Sequence, residues 1–278
     1  MQVLVCVKRV PASGGTPQLT DDGVRVDTRN LAFTVGPHEE CAVEEAISLV
    51  ATHGGAVTVL SVGPAEAEEQ LRYAISMGAD RGVLVDSGAD ELDPQATASA
   101  LTAAIRQLES EGGPFDLIMF GNESPDAGNY QVGIRVACAL GRAIVGGVKG
   151  ITIDDDAGTA TLHRGVADGV EAYEVTLPAA VAVKEGLNLP RYPSMRGRLR
   201  ARKAELAEFR ARIGTPGTPD TEGGPGAGEP VELVVHRGGL RKLRLRRPAE
   251  TQSETVLLGH GSEAAPAVVD ILEELDVV

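Results

Sequence analysis

Residues 121–133 read Gly-Asn-Glu-Ser-Pro-Asp-Ala-Gly-Asn-Tyr-Gln-Val-Gly and follow an apolar run of strand length at 117–120. A glycine-bearing loop between a strand and a helix lets a ligand come close to the backbone, and the helix start offers unpaired N–H groups to an anion. The chemistry suited to this pattern is the holding of a phosphate. It is not a Walker loop, because the Gly-Lys-Ser/Thr ending is missing, and it does not fit the Gly-x-Gly-x-x-Gly fingerprint. Taken alone, its glycines fit a turn as readily as a phosphate cradle. Other constellations say less. The five histidines are scattered without ligand spacing, and no Ser/His/Asp set is present. Asp154-Asp155-Asp156 lacks the rest of a twelve-residue calcium loop and reads as a solvated turn.

The second candidate is a contact surface. Residues 187–197 read Leu-Asn-Leu-Pro-Arg-Tyr-Pro-Ser-Met-Arg-Gly. Pro190 and Pro193 withhold backbone donors and bias the residues before them to extended geometry, so neither helix nor central strand can form there. The segment still carries Tyr192 and Met195 at its tip and runs into a basic stretch. From Arg191 to Arg212 eight Lys/Arg face only Glu205 and Glu208, a local +6 on a chain of formal charge −14. An exposed loop with an adaptable thioether before a cationic helix suits contact with another protein, and equally an ordinary surface loop with a solvated helix.

These segments need elements to position them. Residues 3–7, 57–62, 82–85 and 117–120 are continuous apolar runs of strand length. Helical patterns lie between them at 37–52, 65–77 and 94–108, with a fourth from about Gln131; Pro37 suits a first helical position and Gly78 a left-handed stop. Strands buried on both faces and separated by helices give an α/β fold: a doubly wound, mostly parallel, Rossmann-like sheet. Residues 151–153, 159–162 and 170–177 add antiparallel strands, with Asp168-Gly169 as a hairpin-turn signal, and 179–183 reads as one more buried strand. The stretch 214–230, rich in Gly, Pro and Thr, has almost nothing apolar to bury and reads as a linker. Beyond it come a strand candidate at 231–235, a basic run and an amphipathic helix carrying Val268, Val269, Ile271, Leu272 and Leu275, a tail too small for a core of its own.

Composition points to a soluble, cytoplasmic chain. No apolar run approaches membrane-spanning length, and the start lacks the features of a signal peptide. Cys6, Cys41 and Cys138 are too far apart in sequence for a CxxC site; Cys6 and Cys138 sit in apolar runs and are expected buried and inert. The acidic balance argues against nucleic-acid binding.

The Leu187-Asn188-Leu189-Pro190-Arg191-Tyr192 sequence, with its apolar-tipped loop and following basic helix, resembles the electron transfer flavoprotein β subunits. So do Cys6-Val7-Lys8-Arg9-Val10, Ala42-Val43-Glu44-Glu45-Ala46 and Met77-Gly78-Ala79-Asp80-Arg81-Gly82 in this order and spacing. The likeness covers roughly residues 1–205 and fades after Gly214. It implies a heterodimer with an α subunit that holds most of an FAD, an AMP bound structurally in this chain, and electrons arriving from flavin-dependent dehydrogenases such as acyl-CoA dehydrogenases. It further implies an AMP pocket of Cys6, Gly36, Pro37, His38, Glu39, Val62, Gly63, Gly121, Asn122, Asp126, Gly128, Asn129, Tyr130, Gln131 and Val132, and a partner-binding tip of Tyr192, Met195 and Arg196. No residue of this chain is expected to be catalytic or to bind metal.

The domain division implied is a nucleotide-binding unit at 1–190, a recognition loop and basic helix at 191–212, a flexible linker at 213–230, and a tail at 231–278 wrapping the α subunit. The chain departs from the family pattern at Gly36, at His38, at Glu123-Ser124-Pro125, and at Arg164-Gly165, where a hairpin glutamate is missing. Two alternatives stay open: an electron-bifurcating type with a second FAD in place of AMP, and a stand-alone adenine-nucleotide-binding protein. Ser13-Gly14-Gly15-Thr16 faintly resembles the loop of pyrophosphate-cleaving ATPases but lacks its Asp-Ser half.

Overall fold

The computed structural model describes residues 1–12, 17–88, 92–214, 230–236, 238–240, 242–247 and 256–277. The chain begins with β1 (Gln2–Cys6), a two-stranded antiparallel ribbon of β2 (Arg9–Pro11) and β3 (Phe33–Val35), and α1 (Pro37–His53). It continues through β4 (Ala56–Gly63), α2 (Glu68–Met77), β5 (Arg81–Asp86), α3 (Pro94–Gly112), β6 (Leu117–Gly121) and α4 (Val132–Leu140). A meander of β7 (Ile144–Asp154), β8 (Thr159–Val166) and β9 (Gly169–Thr176) leads to β10 (Ala179–Val183). Then come α5 (Met195–Lys203), β11 (Ala207–Ile213), β12 (Val231–Val235) and α6 (Ala265–Glu274).

Ten strands form one sheet in the order β12-β11-β5-β4-β1-β6-β10-β7-β8-β9. Neighbours are parallel from β12 to β7 and antiparallel through β7, β8 and β9. Alternate side chains of each central strand enter opposite cores. Val3 and Val5 join residues of α1 and α2 on one face, while Leu4 and Cys6 join those of α3 and α4 on the other. This is why the central strands are apolar without a break. The chain steps outward from β1 to β4 and β5, then returns to the far side of β1 with β6. The crevice at the carboxyl ends of β1 and β6 is therefore the topological switch point, where open α/β sheets bind ligands.

Local sequence sets the helix ends. Pro37 opens α1, and Asp93 caps α3 by accepting the Ala96 N–H at 2.8 Å ahead of Pro94. α4 ends at Gly141 in the left-handed region (φ 67°), a conformation that favours glycine.

Four expectations are revised. β7 starts at Ile144, so the strand read at 151–153 is only its end. The residues are glycine-rich there, which hid the strand. The basic helix stops at Lys203, and residues 207–213 form a strand parallel to β5, with Phe209 buried between β5 and β12. Alternation of inward Ala207 and Phe209 with outward Glu208 and Arg210 outweighs the charge pattern that suggested a helix. Residues 231–235 are not part of an extension on a partner: β12 closes the edge of this chain's own sheet, with Leu233 and Val235 in the core under α3. Cys138 is exposed on α4, whereas Cys6 and Cys41 are buried as free thiols. The segment 213–230 read as a linker begins with Ile213 and Gly214 at the end of β11; residues 215–229, like Ser13-Gly14-Gly15-Thr16, lie outside the described residues. No helix among the described residues is long and apolar enough to cross a membrane.

Because Leu233 is fully buried, Leu233→Ala is expected to cost about 2–5 kcal/mol of stability. Urea unfolding measures it. An unchanged midpoint would show that β12 is not part of the cooperative unit.

Candidate nucleotide site and docking loop

Three backbone ends converge on the β1/β6 crevice: the exit of β1 at Cys6 to Lys8, the start of α1 at Gly36, and the exit of β6 at Gly121. The Glu39 side chain fills the space between them. A Cβ built on Gly36 would lie 2.2 Å from its Oε2, and one on Gly121 would lie 2.8 Å from its Cδ, so a side chain at either position would displace the Glu39 carboxyl. Glu39 is buried, and its Oε2 has no hydrogen-bond partner. Burial pushes its carboxyl up to about 7, only partly opposed by its own backbone N–H and by Lys8. Lys8 reaches across the switch point: its Nζ lies 2.7 Å from Asp126 and 3.3 Å from the Ser124 hydroxyl. Desolvation opposes the Asp126 charge, but the Lys8 contact outweighs it and holds the carboxylate below its ordinary range.

On the other side of β6 the loop is fastened to β7. Asn122 is buried; its N–H donates to Val183 O at 2.9 Å, and its Oδ1 accepts the Gly147 N–H at 2.7 Å. Tyr130 adopts φ 54°, which is strained for an aromatic residue and turns its hydroxyl over Gly146; a Cβ there would lie 2.7 Å from that oxygen. Gly121, Asn122, Tyr130, Gly133, Ile134 and Gly146 line most of a cavity of about 190 Å³. It opens at the start of α4, whose first turn has neither a side-chain cap nor an acidic residue. Those N–H groups are free to meet an anion. At the start of α1, His38 Nδ1 is a further buried polar atom without a partner.

The loop read as a contact surface follows β10 and is clamped to α1. Asn188 Nδ2 donates to Cys41 O at 3.0 Å and Glu45 Oε2 at 2.9 Å, while Arg191 grips Glu44 bidentately at 2.8 and 2.7 Å. Partial burial works against the Glu44 charge, but the Arg191 hydrogen bonds outweigh it and hold its pKa below the usual carboxylate value. The guanidinium is half-exposed, so the pair is worth about 1 kcal/mol at most, but its fork geometry fixes the direction of the loop. Around and beyond the clamp the apolar side chains stand free: Leu189, between its two residues, is 91 % exposed, Tyr192 94 % and Met195 74 %.

Of the residues anticipated from sequence, Cys6, Gly36, Glu39, Gly121, Asn122 and Asp126 come together at the crevice. Val62 and Gly63 end the neighbouring strand β4, and Pro37 and His38 open α1. Tyr130 reaches the cavity, with Val132 at the α4 start. Gly128 and Asn129 lie on the exposed part of the loop. Gln131 turns away: its amide oxygen accepts from Arg135 at 3.0 and 3.2 Å. Lys8, Ser124 and Gly146 were not singled out. The Gly146-Gly147 pair inside a strand was the readable signal for Gly146, since glycine there marks close approach of another group. Lys8 stood two residues past a buried strand, at the end where ligands bind. Among the described residues no cluster of His, Cys, Asp and Glu could hold a metal ion. Arg164, whose hairpin lacks the usual glutamate, pairs instead with Glu171 across the β8–β9 ladder at 2.5 Å.

Topology and crevice define the class: an open, doubly wound α/β chain with its polar site at the β1/β6 switch point. The model of the electron transfer flavoprotein domain family matches residues 24–213, and the chain belongs to the β-subunit branch of that family. It is 37 % identical over 197 residues to the electron transfer flavoprotein subunit beta of Bacillus subtilis, covering 70 % of this chain and 71 % of that one. The subunit beta of Megasphaera elsdenii is 32 % identical over 233 residues, 79 % and 84 % of the two chains. Protein FixA of Azorhizobium caulinodans is 33 % identical over 219 residues, 76 % of each.

Glu39 gives the site a pH signature. Its folded pKa lies above the ordinary 4.5, so between there and about 7 the folded chain keeps a proton that the unfolded chain loses. Stability conferred at low pH is therefore lost as pH rises through this window, on the order of 3 kcal/mol in all. Glu39→Gln should remove that loss. Unfolding free energies of both proteins across pH 4 to 8 check it, and parallel curves would contradict the buried carboxyl.

Proposed function

We propose that this chain is the β subunit of a cytoplasmic, heterodimeric electron transfer flavoprotein that binds AMP structurally and covers one side of an FAD held mainly by the α subunit. The observation that carries this reading is the pairing of two features on one helix. The start of α1 forms a wall of the polar crevice, and its second and third turns hold the exposed loop.

The residues present fit an adenylate. The uncapped first turn of α4 suits its phosphate, with Gly121 and Gly133 allowing close approach. Acidic Glu39 and Glu40 make the α1 start the wrong place for that phosphate. This side suits the uncharged ribose and base instead, where Glu39, its carboxyl raised to about 7 by burial, can donate in one protonation state and accept in the other. Cys6 at the end of β1 offers a buried, un-ionised thiol, since desolvation pushes its pKa up. Asn122 and Tyr130 keep the loop against β7, and the strand ends behind it exclude water. Bound adenylate then stabilises the folded subunit by mass action.

FAD, when bound, supplies the one- and two-electron chemistry. This chain's part is to bind the donor, a flavin-dependent dehydrogenase such as an acyl-CoA dehydrogenase, through Tyr192, Met195 and Arg196. The electrons leave for a downstream acceptor. No residue here is asked to form a covalent intermediate. The unpaired Cys6, Cys41 and Cys138 suit a reducing compartment.

Nucleotides extracted from the heterodimer co-expressed with its α subunit should be one FAD and one AMP. Two FADs without AMP would replace this reading with the bifurcating type, and ATP turnover by the chain alone would favour the stand-alone one. Met195→Asp should lower the rate of flavin reduction by a dehydrogenase at least about tenfold with flavin content unchanged. Undiminished reduction would remove the docking assignment.

A further inference from the structure

We infer that the groove between α2 and α5, beside the docking loop, receives an acidic segment of the electron donor. The inference rests on the docking reading above and adds to it a second, electrostatic point of contact. The groove encloses about 270 Å³ and is lined by Arg72, Tyr73, Ser76, Pro193, Arg198 and Arg202, with the small Ala201 also on its wall and Glu69 as its one acid. Pro193 belongs to the docking loop, so a segment lying in the groove continues the surface touched by Met195.

The cations of α5 divide into two kinds. Arg200 is structural: its Nη2 donates to Ile75 O at 2.6 Å and Ala79 O at 3.0 Å, satisfying carbonyls at the end of α2. Arg72 returns the favour from α2, donating to Ala204 O at 3.1 Å and to Ala201 O, and pairing with Glu68. The helices meet closely at Gly197, where a Cβ would lie 2.1 Å from Ser76 O. Arg198 and Arg202 take no part in this packing and have no ion pair among the described residues.

Their placement costs the helix stability. Arg196 and Arg198 stand in the first turn, where the macrodipole disfavours cations, and that turn has no acidic residue. Arg198 and Arg202 are like charges at i, i+4, a repulsion of about 0.2–0.5 kcal/mol. A helix shaped for stability alone would alternate its charges. On a chain of net charge −14, this cluster is instead complementary to a carboxylate from outside. A protein segment suits it better than a nucleic acid or a membrane. The groove is short, the chain as a whole is acidic and repels extended polyanions, and exposed Met195 and Leu199 on α5 invite apolar contact beside the charge.

The test uses the intact heterodimer and an acyl-CoA dehydrogenase that reduces the wild type. Arg198→Glu with Arg202→Glu should raise the KM for that dehydrogenase about tenfold, leave kcat and flavin content unchanged, and flatten the rise of KM with NaCl. Arg198→Lys with Arg202→Lys should keep most of the wild-type behaviour. An unchanged KM and salt dependence in the Glu variant overturns the inference. Met195→Asp in the same assay separates the two readings: if it abolishes transfer while the Glu variant is normal, only the groove assignment fails; if it too is without effect, the docking reading fails. Salt-sensitive binding to phosphatidylserine vesicles, lost in the Glu variant while donor kinetics stay normal, would assign the groove to a membrane surface and overturn the inference as well.

Discussion

Helix α1 must lie across the middle of the sheet, and both the β1/β6 crevice and the loop after β10 are built against it. Cys41, Ala42, Val43, Ala46, Ile47 and Leu49 are buried against the sheet, so the helix cannot rotate or slide without opening the main core. With that face fixed, the remaining positions are fixed too. Glu39 falls between Gly36 and Gly121 at the ligand end of the sheet. Glu44 and Glu45 emerge about a turn later beside the segment leaving β10. The crevice and the loop are thus two consequences of one packing constraint, and they share a rigid element rather than a flexible connection.

The charges follow the same logic. Inside, Lys8 is paired with Asp126 across the crevice, and Glu39 is pushed towards neutrality by burial. Outside, the acidic balance is interrupted around α5 and again along the basic run at 242–247. Two of the arginines involved are used to close helix ends on each other, so part of what reads in the sequence as a binding patch is internal carpentry. That distinction is invisible in the sequence, because Arg198 and Arg200 differ only in which side of a nine-residue helix they occupy.

What was legible in the sequence was whatever a strong local signal carried. The parallel core strands announced themselves because both faces are buried, and residues 179–183 and 231–235 were read to the residue. Pro37, Gly78 and the Asp168-Gly169 turn marked boundaries by backbone chemistry alone. The failures have a common cause. Residues 207–213 carry two arginines and a glutamate in a short edge-side strand, and the first part of β7 is glycine-rich, so neither looks like a buried strand until its neighbours are in place. The crevice was legible as a loop, through its glycines and position. Its electrostatics were not, since the Lys8–Asp126 contact joins residues 118 apart and the buried state of Glu39 depends on two glycines far from each other in the chain.

The apolar surface that remains outside argues that this fold is half of something. Val166 and Val170 stand exposed at the tip of the β8–β9 hairpin, and α6 turns Val268, Val269, Ile271 and Leu275 to solvent with no residue buried. A ten-residue amphipathic helix without a surface to cover is marginal in water. The tail before it is partly tied to this chain: Leu245 donates to Gly23 O at 2.8 Å and Arg247 to Gln18 at 2.6 Å. Among the described residues α6 has no buried side chain to support it. The hairpin tip and α6 belong to elements other than the loop that carries Leu189 and Tyr192. Another chain would cover them, and membership of the subunit-beta branch points to an α subunit as that chain.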